Sequence, residues 1–150
     1  MIATSLEQNI LECMPYQDPF RFIDEILEVT EDHIVGTYTF KESEFFYRGH
    51  FPGNPVTPGV ILTECIAQIG LVALGIHLYQ ATPQMMQKLR VFFTNNQISY
   101  YRTVLPGEKV TVKSQKLYFR LKSLKCEVSM ENESGELVAK GVMAGMFAIT

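Results

Sequence analysis

A chain of 150 residues, 47% hydrophobic and 19% charged, has the length of one domain and a globular composition, which excludes a disordered segment. A net charge of −3 gives no global basic excess, so nothing points to nucleic acid as a partner. Cys13, Cys65 and Cys126 are odd in number and far apart, which argues against a disulfide framework or a zinc site and fits a reducing cytoplasm.

The N-terminal "MIATSLEQNI" has no basic flank and no long apolar run, so no signal peptide is expected. Residues 4–14, "TSLEQNILECM", predict a short amphipathic helix. Ser5 and Gln8 have capping-box spacing, and Leu6, Ile10 and Met14 line one face. "PYQDP" (15–19) ends it. Residues 20–29 and 33–41 predict two strands joined as a hairpin by "TEDH". A loop rich in proline and glycine follows, then an apolar helix over 59–79 and a loop over 81–88. From there the pattern is strand-like. "RVFFTNN" and "ISYYRTV" carry β-branched and aromatic residues, and "KVTVKSQKLYFR" and "LKSLKCEVSME" alternate. "LPGE" (105–108) and "NESGE" (132–136) are turns, and "LVAKGVMAGMFAI" closes the chain. No repeat or linker divides it, so residues 1–150 are expected to form one domain. A flat sheet cannot cover a helix that is apolar all round, whereas a curved antiparallel sheet can. The expected class is α+β, with such a sheet wrapped around one long central helix.

Residues 59–79 are also long and apolar enough to span a bilayer. Glu64, Gln68 and His77 would then sit in lipid, and no basic cluster flanks the segment. A buried core helix is the expectation, without a membrane.

Candidate chemistry concentrates in "RGHFPGNPVTPGVILTECIAQIG" (48–70). Thr57-Pro58-Gly59 predicts a helix start, with Thr57 as N-cap and Pro58 at the first helical position. The Gly59 and Val60 amides then lack helical acceptors at the positive end of the dipole. They could polarise a ligand carbonyl, or the Thr57 hydroxyl could simply cap them. Glu64 lies about a turn and a half into an apolar helix, with Gln68 on its face. Such a carboxyl is either a proton donor with a raised pKa or a structural group satisfied by Gln68. His50 is held in a stiff Pro/Gly loop, and an imidazole suits a base at neutral pH.

These residues resemble the FabZ/FabA family of β-hydroxyacyl-acyl carrier protein dehydratases. The family signature reads approximately GHFPGxPxxPGVLxxEAMAQ, against "GHFPGNPVTPGVILTECIAQ" over 49–68, with the same spacing from His to Glu. Glu on the helix is closer to FabZ than to FabA. "PYQDPFRFIDEILEV" and "YYRTVLPGEKV" are similar to further family segments, whereas "FFTNNQISY" replaces the usual AGIDxARF and Thr103 a proline. The resemblance implies the hotdog fold and dehydration of (3R)-hydroxyacyl-acyl carrier protein to the trans-2-enoyl form. It implies His50 and Glu64 as the catalytic pair, Gly59 as the thioester-binding amide and Gln68 as an orienter of Glu64. It implies no metal and no cofactor beyond the carrier's phosphopantetheine. It further implies a homodimer in which His50 of one subunit meets the acid of the other, and members of the family assemble three such dimers. A cis peptide at His50-Phe51 is also implied. Basic residues able to face an acidic carrier are Arg48, Lys88, Arg90, Arg102 and the 120–125 cluster. A hotdog thioesterase and a dehydratase of a dedicated polyketide or aryl-polyene pathway are the rival readings.

Overall fold

The computed structural model describes residues 5–149. The first helix, α1, runs Leu6–Cys13; residue 4 of the predicted span lies outside the described residues. Its capping box forms as read, with the Ser5 hydroxyl accepting from the Gln8 amide and the Gln8 side chain accepting from the Ser5 amide. Ile10 and Cys13 carry the buried face.

Strands β1 (Glu25–Val29) and β2 (His33–Thr39) form the first hairpin. The predicted first strand is thus shortened at its start. Residues 20–22 give backbone groups to a side chain of the central helix instead: the Phe22 amide donates to Gln68 Oε1 and the Phe20 carbonyl accepts from Gln68 Nε2. At the far end of β2, the Phe40 amide carries the β2–β4 register one step further by donating to the Glu108 carbonyl.

A short 3-10 helix, Phe45–Arg48, leads into the proline loop, and the central helix α2 spans Gly59–Tyr79. Its middle, Gln68–Ala73, is wound as a π-helix. The helix is long and apolar enough to cross a membrane, but 83% of its apolar window is buried inside the protein. The predicted 81–88 loop contains a helical turn, Pro83–Met86. Thr82 caps it and Pro83 opens it, a start signal the reading overlooked.

The remaining strands are β3 (Leu89–Tyr100), β4 (Lys109–Arg120), β5 (Ser123–Glu131) and β6 (Leu137–Ile149). "RVFFTNN" and the first three residues of "ISYYRTV" are one strand, bulged between Phe93 and Asn95, and residues 101–104 lie beyond its end. The expected strand over 121–131 loses its first two residues to a turn, where Leu121 and Lys122 both take left-handed backbone. That is the pairing a tight hairpin between right-twisted strands requires.

All strand pairs are antiparallel, in the order β1-β2-β4-β5-β6-β3. The sheet curls around α2, which is the α+β hotdog arrangement. Ile66, Ile69, Leu74 and Ile76 of the helix are buried with Val112, Leu124, Met130 and Phe147 of the strands. The helix sits so close to the sheet that a Cβ on Gly75 would lie 2.0 Å from the Phe147 ring. Ser114 fastens the π segment to β4 by donating to the Gly70 carbonyl at 2.7 Å.

Alanine has the higher helix propensity, yet Gly75→Ala should destabilise the protein by about 2 kcal/mol through overpacking. A lower urea midpoint at unchanged slope is the expected result; a higher midpoint would contradict this account of the helix-sheet contact.

Candidate functional site

The loop from Gly49 to Pro58 is tied to itself and to the body. The Val56 amide donates to the His50 carbonyl at 2.9 Å, Phe51 and Asn54 exchange backbone hydrogen bonds, and the Thr57 amide donates to the Val104 carbonyl. Gly53 has φ of 73°, which a side chain would resist. The His50-Phe51 peptide bond is cis, and the Phe51 ring stacks on the imidazole at 4.1 Å.

His50 Nδ1 lies 2.9 Å from the Val56 carbonyl oxygen. A carbonyl only accepts, so Nδ1 carries the proton and Nε2 keeps its lone pair. The loop therefore selects the tautomer a base needs at Nε2.

The helix start differs from the expectation by one residue. Pro58 is the N-cap, the helix begins at Gly59, and no side chain caps it. Thr57 does not cap because its hydroxyl is engaged elsewhere, 2.6 Å from the Tyr47 hydroxyl in a buried pair. The Pro58 carbonyl accepts from Ile61 and Leu62, so Gly59 and Val60 are the leading amides of the helix. One side of Gly59 faces the Tyr100 ring, and the Tyr100 and Thr63 hydroxyls are hydrogen-bonded to each other.

Glu64 is held by Gln68, which is fully buried. Gln68 Nε2 donates to Glu64 Oε2 at 2.9 Å and to the Phe20 carbonyl at 3.1 Å, while its Oε1 accepts from the Phe22 amide at 2.7 Å. Both ends of the amide are thereby assigned, and the carboxylate is pinned at one oxygen. Burial raises the Glu64 pKa above the ordinary carboxylate range; the Gln68 hydrogen bond offsets part of that rise. Glu64 lines a cavity of about 260 Å³ whose other walls include Tyr16, Phe20, Leu71, Val91 and Phe93. This is an apolar chamber with one acid in its wall.

His50 is not among the walls of that cavity. Gly59 and Glu64 are five positions apart, about 140° around the helix, so they do not share a face. Val60 does share the Glu64 face, and it is 76% exposed. Glu64 and Gln68 are thus in direct contact, and neither His50 nor Gly59 lines the Glu64 cavity. Sequence reasoning missed Tyr47, which diverts Thr57, and Tyr16, which walls the cavity. "PYQDP" reads only as a helix breaker, and nothing in "FFYR" marks its tyrosine.

The raised pKa makes a stability prediction. The folded protein binds the Glu64 proton more tightly than the unfolded chain. The stabilisation this brings is full below the ordinary glutamate pKa and is lost as pH rises through the raised value. Glu64→Gln cannot titrate, so it should gain stability relative to the native sequence as pH rises across that window. Urea midpoints measured across the window test this; parallel pH profiles would contradict it.

Residues 14–141 match the family model described as a FabA-like domain. The chain is 37% identical over 142 residues to the 3-hydroxyacyl-acyl-carrier-protein dehydratase FabZ of Acetivibrio thermocellus, covering 93% of this chain and 91% of that one. It is 34% identical to the FabZ of Herpetosiphon aurantiacus, covering 95% and 96%. Among solved structures it is similar to a hypothetical thioesterase with coenzyme A from Streptococcus pneumoniae, with a TM-score of 0.63 at 18% identity over 84% of this chain and 86% of that one. A Haemophilus influenzae thioesterase gives 0.58 at 17% identity, over 83% and 78%. Those two likenesses concern the fold alone; the sequence relatives and the family model concern descent, and by them this chain belongs to the FabA-like family, among relatives named FabZ.

Proposed function

We propose that the chain is a single-domain 3-hydroxyacyl-acyl carrier protein dehydratase, working in the cytoplasm on fatty-acid or related polyketide intermediates. The observation that carries this reading is a half-buried acid held by Gln68 in the wall of an apolar chamber, in a chain that also carries a tautomer-fixed histidine. The thioester carbonyl would accept a hydrogen bond from the Gly59 amide, which acidifies the C2 proton. His50 Nε2 takes that proton. The C3–O bond then breaks, and the hydroxyl leaves as water with the proton of the Glu64 carboxyl. The product is the trans-2-enoyl thioester. The carbonyl is the electron sink, so the elimination needs neither a metal nor a redox cofactor. Gln68 acts through Glu64 by holding its rotamer.

The separation of His50 from the Glu64 cavity supports a site shared between two copies. Strand β3 is an edge strand of 12 residues that, among the described residues, pairs only with β6, and Phe92, Phe93 and Tyr100 on it are exposed. An unpaired apolar edge of that length invites another strand. Antiparallel pairing of β3 with its copy would make a homodimer with two composite sites, and three such dimers could assemble further.

Incubation with a crotonyl thioester should consume the enoyl absorbance by hydration. His50→Ala and Glu64→Gln should each lower kcat about a thousandfold. Release of free thiol instead would identify a thioesterase. The carrier's acidic surface should meet basic residues beside the loop, and Arg48 is an exposed cation two positions before His50. Arg48→Glu should raise KM for the carrier-bound substrate several-fold and leave a pantetheine substrate unaffected. Equal loss on both would contradict docking at Arg48. Of the other candidates, Arg102 is spent on Glu136 and the Leu137 carbonyl, and Arg90 on the Gln87 and Leu89 carbonyls.

A further inference from the structure

Two cavities flank Tyr16. One is the chamber of about 260 Å³ that contains Glu64. The other, about 440 Å³, lies between the segment after α1 and the start of β3, bounded by Pro15, Met86, Gln87, Leu89 and Arg90. Only Tyr16 and Val91 line both. Val91 is a strand residue with a short side chain. Tyr16 carries the larger group, a half-buried ring packed against the core.

We propose that the Tyr16 ring is the partition that ends the acyl chamber, and that its size sets the longest acyl chain the site accepts. This rests on the dehydratase reading for the identity of the ligand. The chamber begins at the acid that would meet C3, so the chain beyond C3 runs into walls made by Phe20, Leu71, Val91 and Phe93. Apolar walls favour binding about fourfold for each added methylene until the space ends. Beyond that point each further methylene has to displace Tyr16. The phenol stands near enough to Glu64 to feel its charge, and burial and that charge together raise its pKa well above the ordinary range. It partitions the two spaces as an uncharged wall.

Space opens in a useful direction when the ring is removed. The second cavity would join the first and lengthen the channel toward Met86 and Leu89, both apolar and buried. Phe in place of Tyr16 keeps the ring and so keeps the partition. Leu keeps apolar packing against the core while shortening the wall.

The test compares the native protein with Tyr16→Ala, Tyr16→Leu and Tyr16→Phe on butanoyl, octanoyl and hexadecanoyl forms of the 3-hydroxyacyl pantetheine thioester. The ratio of kcat/KM for hexadecanoyl over octanoyl should rise at least tenfold in Tyr16→Ala and less in Tyr16→Leu, and stay at the native value in Tyr16→Phe. Calorimetric binding of the corresponding saturated acyl pantetheines gives a second readout that needs no turnover. A shifted binding ratio without dehydration by any of the proteins would sink the dehydratase reading and keep the partition. An unchanged chain-length ratio in folded Tyr16→Ala and Tyr16→Leu, or a shift equally large in Tyr16→Phe, would overturn the partition. Tyr16→Leu decides the matter alone where Tyr16→Ala does not fold.

Discussion

A helix that is apolar on every side has to be covered on every side, and most of this fold follows from that. A helix stripe on a flat sheet leaves half its circumference in water. Here the sheet curls around α2, and α1 with the 15–24 segment closes much of the remaining gap. Residues such as Cys65, Ile66, Ile69 and Ile76 are left with essentially no exposure. The most open residue of the helix is Val60, in the first turn, which projects into solvent. That turn is also where backbone amides lack helical partners, so the part of the helix that packing leaves open is the part able to bind an oxygen.

Polar groups inside such a structure need complete satisfaction, because each unpaired one costs about 1–3 kcal/mol. Gln68 meets this demand with both ends of its amide, and in doing so joins the 20–22 backbone, the helix and Glu64. Hydrogen bonds that could have extended β1 are given up to the side chain that holds the acid. Tyr47 plays a comparable part at the loop. By engaging the Thr57 hydroxyl it keeps that group off the helix start. In both places a local preference yields to an arrangement that serves the site.

Much of this was legible in the residues. The capping box at Ser5, the TEDH hairpin, β4 and β6 to the residue, and the curved sheet all follow from periodicity, turn chemistry and the need to bury α2. The signature over 49–68 marks His50, Gly59, Glu64 and Gln68 as candidates, and of these the structure joins Glu64 to Gln68. What was not legible depends on partners distant in sequence. The loss of 20–22 from the first strand requires knowing that Gln68 lies opposite. The Thr57 cap fails because of Tyr47. Tyr16 gains meaning only when two cavities are seen on its two sides. The turn at Leu121-Lys122 was hidden by ordinary residues in left-handed backbone, where Gly or Asn would have announced it.

On the function proposed above, one chain cannot assemble the site and two can. Co-expression of His50→Ala with Glu64→Gln, each inactive alone, tests it most directly. A mixed dimer pairs an intact His50 from one subunit with an intact Glu64 from the other at one of its two sites. Random assortment should therefore restore about a quarter of the native activity. A mixture as inactive as either variant alone would contradict the shared site and place both groups within a single chain.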